Sequence, residues 1–577
     1  MTRPARPGGV AAAEGADAIP DARGANLYRV DPMARALFGL YLPPALGAHL
    51  EPHFDRLGGL AGGRLDELAS IADRNPPTLS VRDRRGADTS RIIKHPAYVE
   101  MERLAFCDLG LAAMSHRPGV LGWPEPMPPA AKYALTYLLV QAEFGLCCPV
   151  SMTDSLARTL RRFGEPGLVE RVLPLVTALD FDTLEQGAMF MTEQGAGSDV
   201  AGTATRAVAN GDGSWALHGD KWFCSNPDAG FAMVLARSEP IDGAPGLQGV
   251  SLFLLPRTLP DGRANTYRIL RLKDKLGTRS MASGEIRLEG ATAWLVGERG
   301  RGFQQMADMV NNSRLSNGVR AAGLMRRALT EALHVARHRV AFGRPLARMP
   351  LMRRQLLKMA VRTEQARTMV FQTARALERA DRERGPAASL ARILTPLIKF
   401  RACRDARGVT GDAMEVRGGC GYIEEWSDAR LLRDAHLGSI WEGTSNIVAL
   451  DVLRAIRRDG ALPALRAHVD GLLADGDPAP PAEAALQSQV VERAFALAED
   501  AASADRAQLA RQSASALYHV VTMAGLRWEA RHAGLPVRAG LAGLVLAHRL
   551  APRDPLAAGP AGPDGADEPA AALLDGC

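Results

Sequence analysis

Two hydrophobic periods divide the chain. From Ala25 to about Thr183, apolar residues recur at the three- and four-residue spacing of amphipathic helices, as in Pro129 to Glu143. Rigid corners fall at Asn75-Pro76-Pro77 and Cys147-Cys148-Pro149. Between Met189 and Leu295 the period changes to short alternating runs: Thr203 to Val208, the turn Asn210-Gly211-Asp212-Gly213, Trp215 to Leu217, Phe231 to Ala236 and Val250 to Leu255. Strands separated by such turns predict an antiparallel sheet or barrel. After Arg301-Gly302-Phe303 the helical period returns. Met352, Leu356, Met359, Thr363, Ala366, Val370, Ala374 and Leu377 form one stripe, which predicts a helix packed in a bundle. Ala461 to Leu473 and Val490 to Leu526 predict further helices around the linker Asp475 to Pro481.

The resulting order is that of an α+β multidomain protein. A disordered arm (1–24) precedes an N-terminal α-helical domain (25–186), a central antiparallel β domain (187–300) and a C-terminal four-helix-bundle domain (301–460). An extra C-terminal helical region (461–550) and a low-complexity tail (551–577) follow. Arm and tail hold too few large apolar residues to offset the entropy of ordering.

Composition narrows the picture. A chain of 577 residues exceeds what one core supports, and 47% hydrophobic with 23% charged residues is ordinary for a soluble globular protein. Seven cysteines, without CxxC spacing or a neighbouring His cluster, support neither a disulfide framework nor a metal site, and fit a reducing cytoplasm. No stretch has signal-peptide character or membrane-spanning length, so neither export nor a membrane is expected. The net charge is +6, but from Asp451 onward twelve Arg face sixteen Asp and Glu, a balance of −4. A nucleic-acid partner requires a clustered basic surface. Arg454, Arg457 and Arg458 are a local exception that a solvated helix face explains equally well.

Two segments carry the candidate chemistry. Met191 to Val200 is a polar, glycine-bearing turn: Gly195 and Gly197 would let the backbone adopt positive φ and approach a planar ring, and Thr192 and Ser198 add hydroxyls. In Ile440 to Asn446, Glu442 stands between Trp441 and Gly443, the setting of a buried base.

These two segments, with Gly219 to Asn226 (GDKWFCSN), Arg339 to Leu346 (RVAFGRPL), Arg417 to Tyr422 (RGGCGY) and Leu431 to Ala435 (LLRDA), resemble the acyl-CoA dehydrogenase family, in the family's order and across residues 140–458. Asn26-Leu27-Tyr28, Asn75-Pro76-Pro77, Cys148-Pro149 and Arg271 to Gly277 are similar to its adaptive-response branch, known as AidB, whose chains carry an additional C-terminal helical region. That likeness covers almost the whole chain.

The resemblance implies an FAD cofactor. Met191, Thr192, Gly197 and Ser198 would lie against flavin ring and pyrophosphate, Phe223 would be the aromatic shield and Ser225 the hydroxyl near flavin N5. Gln194 replaces a usual Pro. Thr444 and Asn446 would also contact FAD, and Arg339, Phe342, Gly418 and Gly419 would reach the FAD of a neighbouring subunit, which implies a homo-oligomer, by family habit a tetramer. Glu415 replaces a frequent Gln there. Glu442 would abstract the α-proton of an acyl-CoA thioester while the β-hydride passes to flavin N5, with an electron-transfer flavoprotein as electron acceptor. Some branches place the base on an earlier helix, where this chain has Ser313, and nitroalkane-oxidising relatives have Asp at position 442. Two other readings stand beside this one: an acyl-CoA oxidase, and an AidB-like DNA-binding flavoprotein of the alkylation response with weak dehydrogenase activity.

Overall fold

The computed structural model describes residues 19–552, apart from 384 and 504, together with 556 and 568–576. The N-terminal part contains α1 (Pro32–Tyr41), α2 (Pro44–Gly62), α3 (Arg64–Arg74), a hairpin of β1 (Thr78–Arg82) and β2 (Asp88–Ile93), then α4 (Pro96–Arg103), α5 (Pro129–Leu139), α6 (Cys147–Phe163) and α7 (Pro166–Val176). Five of these helices start on proline, whose fixed φ and missing N–H suit the first turn. Asp31 caps α1 by accepting from the Ala34 amide at 3.2 Å. The hairpin was not expected, because its Asp/Arg-rich strands hide the alternation. Leu79 and Ile92 pack into the core of the β domain, while Val81 and Ile93 are exposed.

The β domain comprises β3 (Gly187–Phe190), β4 (Arg206–Ala209), β5 (Trp215–Ser225), β6 (Phe231–Arg237), β7 (Val250–Pro256), β8 (Tyr267–Leu272) and β9 (Ser283–Leu295). Pairings β6–β4–β5–β9–β7 return to β6, so the sheet closes on itself, with β3 on β6 and β8 on β9. The expectation of an antiparallel domain needs one correction. β3 runs parallel to β6 over four residue pairs, and β4 touches β6 in parallel through Arg206 and Arg237. Both are entered after loops or crossovers, which set no antiparallel constraint.

Three long helices follow: α8 (Gly302–His338), α9 (Pro350–Arg382) and α10 (Pro386–Arg417), with the small hairpin β10 (Val340–Ala341) and β11 (Arg344–Pro345) after α8. Then come α11 (Ser427–Gly438), α12 (Ser445–Asp459), α13 (Ala461–Ala474), α14 (Pro481–Ala502), α15 (Ala510–His532), α16 (Pro536–Val545) and α17 (Glu568–Asp575). The stripe expected on α9 is core: Leu356, Met359, Thr363, Ala366, Val370 and Ala374 are buried. One continuous apolar core runs from α1 through α8, α9 and α10 to α16.

The ends of the chain are partly held. Of the expected disordered arm, residues 1–18 lie outside the described residues, but Ala22 is buried and Arg417 Nη1 donates to the Pro20 carbonyl at 3.0 Å. Most of the expected low-complexity tail also lies outside them. Its end forms α17, where Leu574 is buried and its carbonyl accepts from Arg337 at 3.0 Å. No described helix is long and apolar enough to cross a membrane.

A buried charge network ties the C-terminal helices to the rest. Arg538 on α16 meets Glu529 of α15 at 2.6 Å and Glu364 of α9 at 2.7 Å, and Glu364 also pairs with Arg367, which reaches Asp31 ahead of α1 at 2.6 Å. All five side chains are essentially inaccessible. Removing one partner of such a set leaves a buried charge uncompensated. Arg538→Ala is therefore expected to lower unfolding stability by about 3–5 kcal/mol in chemical denaturation, whereas truncating the exposed Arg263, paired locally with Asp261 at 2.7 Å, should change it little.

Candidate functional site

Glu442 sits in the turn between α11 and α12, and its backbone is strained. Its φ is +54° and that of Gly443 +99°, both in the left-handed region. A non-glycine residue held there costs about 1–3 kcal/mol and persists only where its surroundings over-determine it. Here two cations do so. Arg314 Nε donates to the Glu442 carbonyl at 3.1 Å while its Nη1 is anchored on Asp451 at 2.7 Å, and Lys399 Nζ donates to the Gly443 carbonyl. Gly443 admits no larger residue, since a Cβ would stand 3.3 Å from both Ile447 and Val448 in addition to the unfavourable φ.

The side chain points inward. Trp441 stacks on Phe144 with centroids 5.9 Å apart, and the Arg320 guanidinium lies 4.5 Å over the Trp441 ring. The Glu442 Oε2 is buried and meets no hydrogen-bond donor. Burial pushes this carboxyl above the ordinary carboxylate range, against the pull of Arg314, Lys399, Arg320 and the neighbouring Ser313. Burial also brings Lys399 down to about 8. The position at which other branches carry the base thus faces the carboxyl with a hydroxyl that cannot compete as one.

A second group forms at the end of β5. Trp222 N donates to the Thr192 carbonyl at 2.9 Å, so the 191–199 turn runs beside the strand. The turn is nailed down by Glu193, whose carboxylate accepts from Lys221 Nζ at 2.7 Å, from the Ala204 amide at 2.7 Å and from the Thr205 hydroxyl at 2.6 Å. Lys221 donates as well to the carbonyls of Met191 and Leu235. Met191 is half-buried, while Gly197, Ser198 and Phe223 are exposed. The expected positive φ at Gly195 and Gly197 does not occur. A Cβ at either would touch nothing, so one side of the turn is open. Burial pushes the thiol of Cys148, in the first turn of α6, above its ordinary range, with smaller influences from Arg320, Glu442, Lys275 and Ser225.

Four more of the expected residues gather elsewhere. Arg339 caps the end of α8 and donates through Nη1 to the Arg417 carbonyl at 3.2 Å, next to Gly418, whose φ is +76°. Gly419 follows in the same short helical turn. Phe342 occupies the tip of the β10–β11 hairpin with φ +52° and is 95% exposed. Val340, Leu351 and Tyr422 are exposed too, an apolar display of the kind that marks an interface. Among the described residues no hydrogen bond or ion pair joins this group to the 191–225 group. Thr444 is the N-cap residue of α12 and Asn446 lies in its first turn, both exposed. Glu415 accepts from Gln355 at 3.2 Å.

Sequence reasoning missed the residues that hold these groups in place: Glu193, Lys221, Arg314, Arg320 and Lys399. One signal existed for Lys221, a charge on the inward side of a strand between Leu217 and Cys224. The suspected basic patch on α12 is largely engaged: Arg454 pairs with Asp451 at 2.9 Å, and Arg457 donates to the Ser503 carbonyl at 2.7 Å. No group of His, Cys, Asp or Glu able to hold a metal occurs among the described residues.

Sequence comparison agrees with this architecture. Residues 188–291 match the acyl-CoA dehydrogenase middle domain, residues 300–457 the acyl-CoA dehydrogenase C-terminal domain, and residues 18–183 the N-terminal domain of the adaptive response protein AidB. The chain belongs to the acyl-CoA dehydrogenase family, whose members bind FAD. Within it, the chain is 36% identical over 407 residues to the putative acyl-CoA dehydrogenase AidB of Escherichia coli, covering 69% of this chain and 72% of that one. It is 31% identical over 458 residues to acyl-CoA dehydrogenase family member 11 of Caenorhabditis elegans, covering 78% and 73%. The crystal structure of Caenorhabditis elegans ACDH-11 in complex with C11-CoA superposes with a TM-score of 0.82 at 27% identity, over 95% of this chain and 93% of that one.

The opposition between burial and cations at Glu442 has a measurable consequence. A carboxyl loses stabilisation of its charged form when a neighbouring cation is removed, so its pKa rises. In Lys399→Met the Glu442 ionisation, followed by infrared difference spectroscopy against Glu442→Gln, is expected to move to higher pH. Lys399→Arg should hold it in place.

Proposed function

We propose that the protein is an FAD-dependent oxidoreductase of acyl-CoA thioesters in which Glu442 removes the α-proton. The observation that carries this reading is the buried, donor-free Oε2 of Glu442 in a strained turn held by Arg314 and Lys399. Strain of this kind clusters at functional sites, and a desolvated carboxylate is the stronger base. Bound FAD supplies the acceptor for the substrate's β-hydride.

The chain's own residues fit that cofactor. The open side of the turn at Gly197 admits a planar ring, with Met191 beneath, Phe223 flanking, and the Thr192 and Ser198 hydroxyls for polar contacts. Neither hydroxyl has a protein partner among the described residues. Thr444 and Asn446 stand at the N-terminus of α12, where unpaired amides and the helix dipole favour phosphate. Arg339, Phe342, Gly418 and Gly419 lie in the exposed apolar region and would serve the FAD of a second subunit, the guanidinium fork suiting pyrophosphate. The protein therefore works as a homo-oligomer, a dimer of dimers by family habit. An electron-transfer flavoprotein would take the electrons from the reduced protein. Ser225 would offer its hydroxyl to the bound flavin ring.

The decisive experiment is anaerobic titration of the FAD-loaded protein with a panel of acyl-CoAs. Flavin bleaching is expected in the wild type, and in Glu442→Gln full FAD content with turnover lower by about 10²–10⁴-fold, the usual contribution of a positioned base. Equal bleaching by that variant would reassign the base. Hydrogen peroxide formed in air at the rate of acyl-CoA oxidation would identify an oxidase instead. Arg339→Ala is expected to do the reverse of Glu442→Gln: FAD content of the purified oligomer falls, read from the ratio of absorbance of flavin to protein, while any retained site still bleaches.

A further inference from the structure

Among the described residues seven arginine side chains are fully buried, and six of them meet a carboxylate at 3.3 Å or less. Arg320 is the exception. Among the described residues no carboxylate oxygen lies within 4.0 Å of it. Its Nε donates to the Ser316 carbonyl at 3.3 Å within its own helix, its plane covers Trp441 at 4.5 Å and Phe144 at 5.5 Å, and its Nη1 is buried with no acceptor.

Arg320 does not stand alone. Ser313, Asn317 and Arg320 are spaced by four and three, one stripe of α8. The Ser313 hydroxyl and both amide atoms of Asn317 are likewise buried without partners, and so are Trp441 Nε1 and Glu442 Oε2 on the turn they face. Six of the twenty-one partnerless buried side-chain atoms in the described residues therefore belong to this one stripe and turn. Each such atom costs about 1–3 kcal/mol if left unmade, and a pocket for a plain hydrocarbon chain is lined by apolar side chains. The set is rich in donors: the guanidinium, the amide NH₂, the indole N–H and the hydroxyl. A guanidinium fork with an added amide donor matches a carboxylate.

We infer that the acyl group accepted beside Glu442 ends in a carboxylate, and that Arg320 and Asn317 are the residues that select it. The inference rests on the dehydrogenase reading and narrows it to CoA monothioesters of short dicarboxylic acids. Short chains follow from placement, because the guanidinium lies against the residue that immediately precedes Glu442. A plain alkyl end would leave the donors unpaired, which is how a hydrogen-bonding site rejects an analogue that lacks the bonding group.

The test compares matched pairs of ω-carboxyacyl-CoA and alkanoyl-CoA of equal chain length, by anaerobic flavin reduction and by calorimetric binding to the FAD-loaded protein. The wild type is expected to favour the carboxyacyl member at least tenfold in kcat/KM. Arg320→Met should erase or invert that preference, and Arg320→Lys should lose most of it while keeping the charge. Should the Arg320 variants fail to fold, Asn317→Leu provides the second reading, with the same loss of preference. A wild type that reduces its flavin faster with alkanoyl-CoA, or a preference that Arg320→Met leaves unchanged, overturns the inference and leaves the dehydrogenase reading intact. Bleaching by neither thioester overturns the dehydrogenase reading; the calorimetric preference then decides the inference, which fails if the two thioesters bind equally.

Discussion

A carboxylate that is to act as a base must be dry enough to hold a proton and yet fixed in one place, and at Glu442 the same two cations answer both demands. Arg314 and Lys399 grip the carbonyls of residues 442 and 443 and so keep a left-handed turn that an unsupported glutamate would leave. They also lie close enough to oppose the effect of burial on its carboxyl. Arg314 is itself fixed by Asp451, which Arg314 and Arg392 hold below the ordinary carboxylate range despite its burial. Backbone geometry and acidity at this turn are therefore one property. A substitution aimed at either disturbs the other.

The β domain follows the same logic with a single pair. Glu193 and Lys221 bind five backbone or hydroxyl groups between them, and by doing so they fasten an irregular turn to a regular strand. The barrel supplies rigidity, the turn supplies exposed glycine and hydroxyls, and the buried ion pair transmits the one to the other. Cys148, in the first turn of α6, has both Ser225 and Glu442 among the groups that act on its thiol, which burial pushes up.

What the amino-acid sequence disclosed depends on how local the cause was. The stripe on α9 was legible because burial on a helix repeats every three or four residues, and all that was needed lies within one segment. The full length of β5 was not, since Gly219, Asp220 and Lys221 interrupt the alternation, and Lys221 is buried for the sake of a carboxylate 28 positions away. Glu442 stood out by its neighbours Trp441 and Gly443, and the family likeness named its companions. The residues that shape it were illegible for a physical reason: Arg314 lies 128 positions before it, Lys399 44 positions before Gly443, and nothing in the local text of either distinguishes a pinning cation from a solvated one.

The C-terminal helices can be judged by what their arginines face. A surface that holds a polyanion needs cations free of local partners. Here Arg466 is shared between Asp470 and Glu492, Arg506 meets Asp500, Arg527 meets Glu483, and Arg538 is buried between Glu364 and Glu529. In a region that is net acidic, these four arginines have their charge directed inward or balanced in place. The consequence is mechanical: α15 and α16 press α9 through buried charges and a shared core, and α9 packs on α8, the helix that carries Ser313, Arg314 and Arg320. These helices brace the wall of the site from behind.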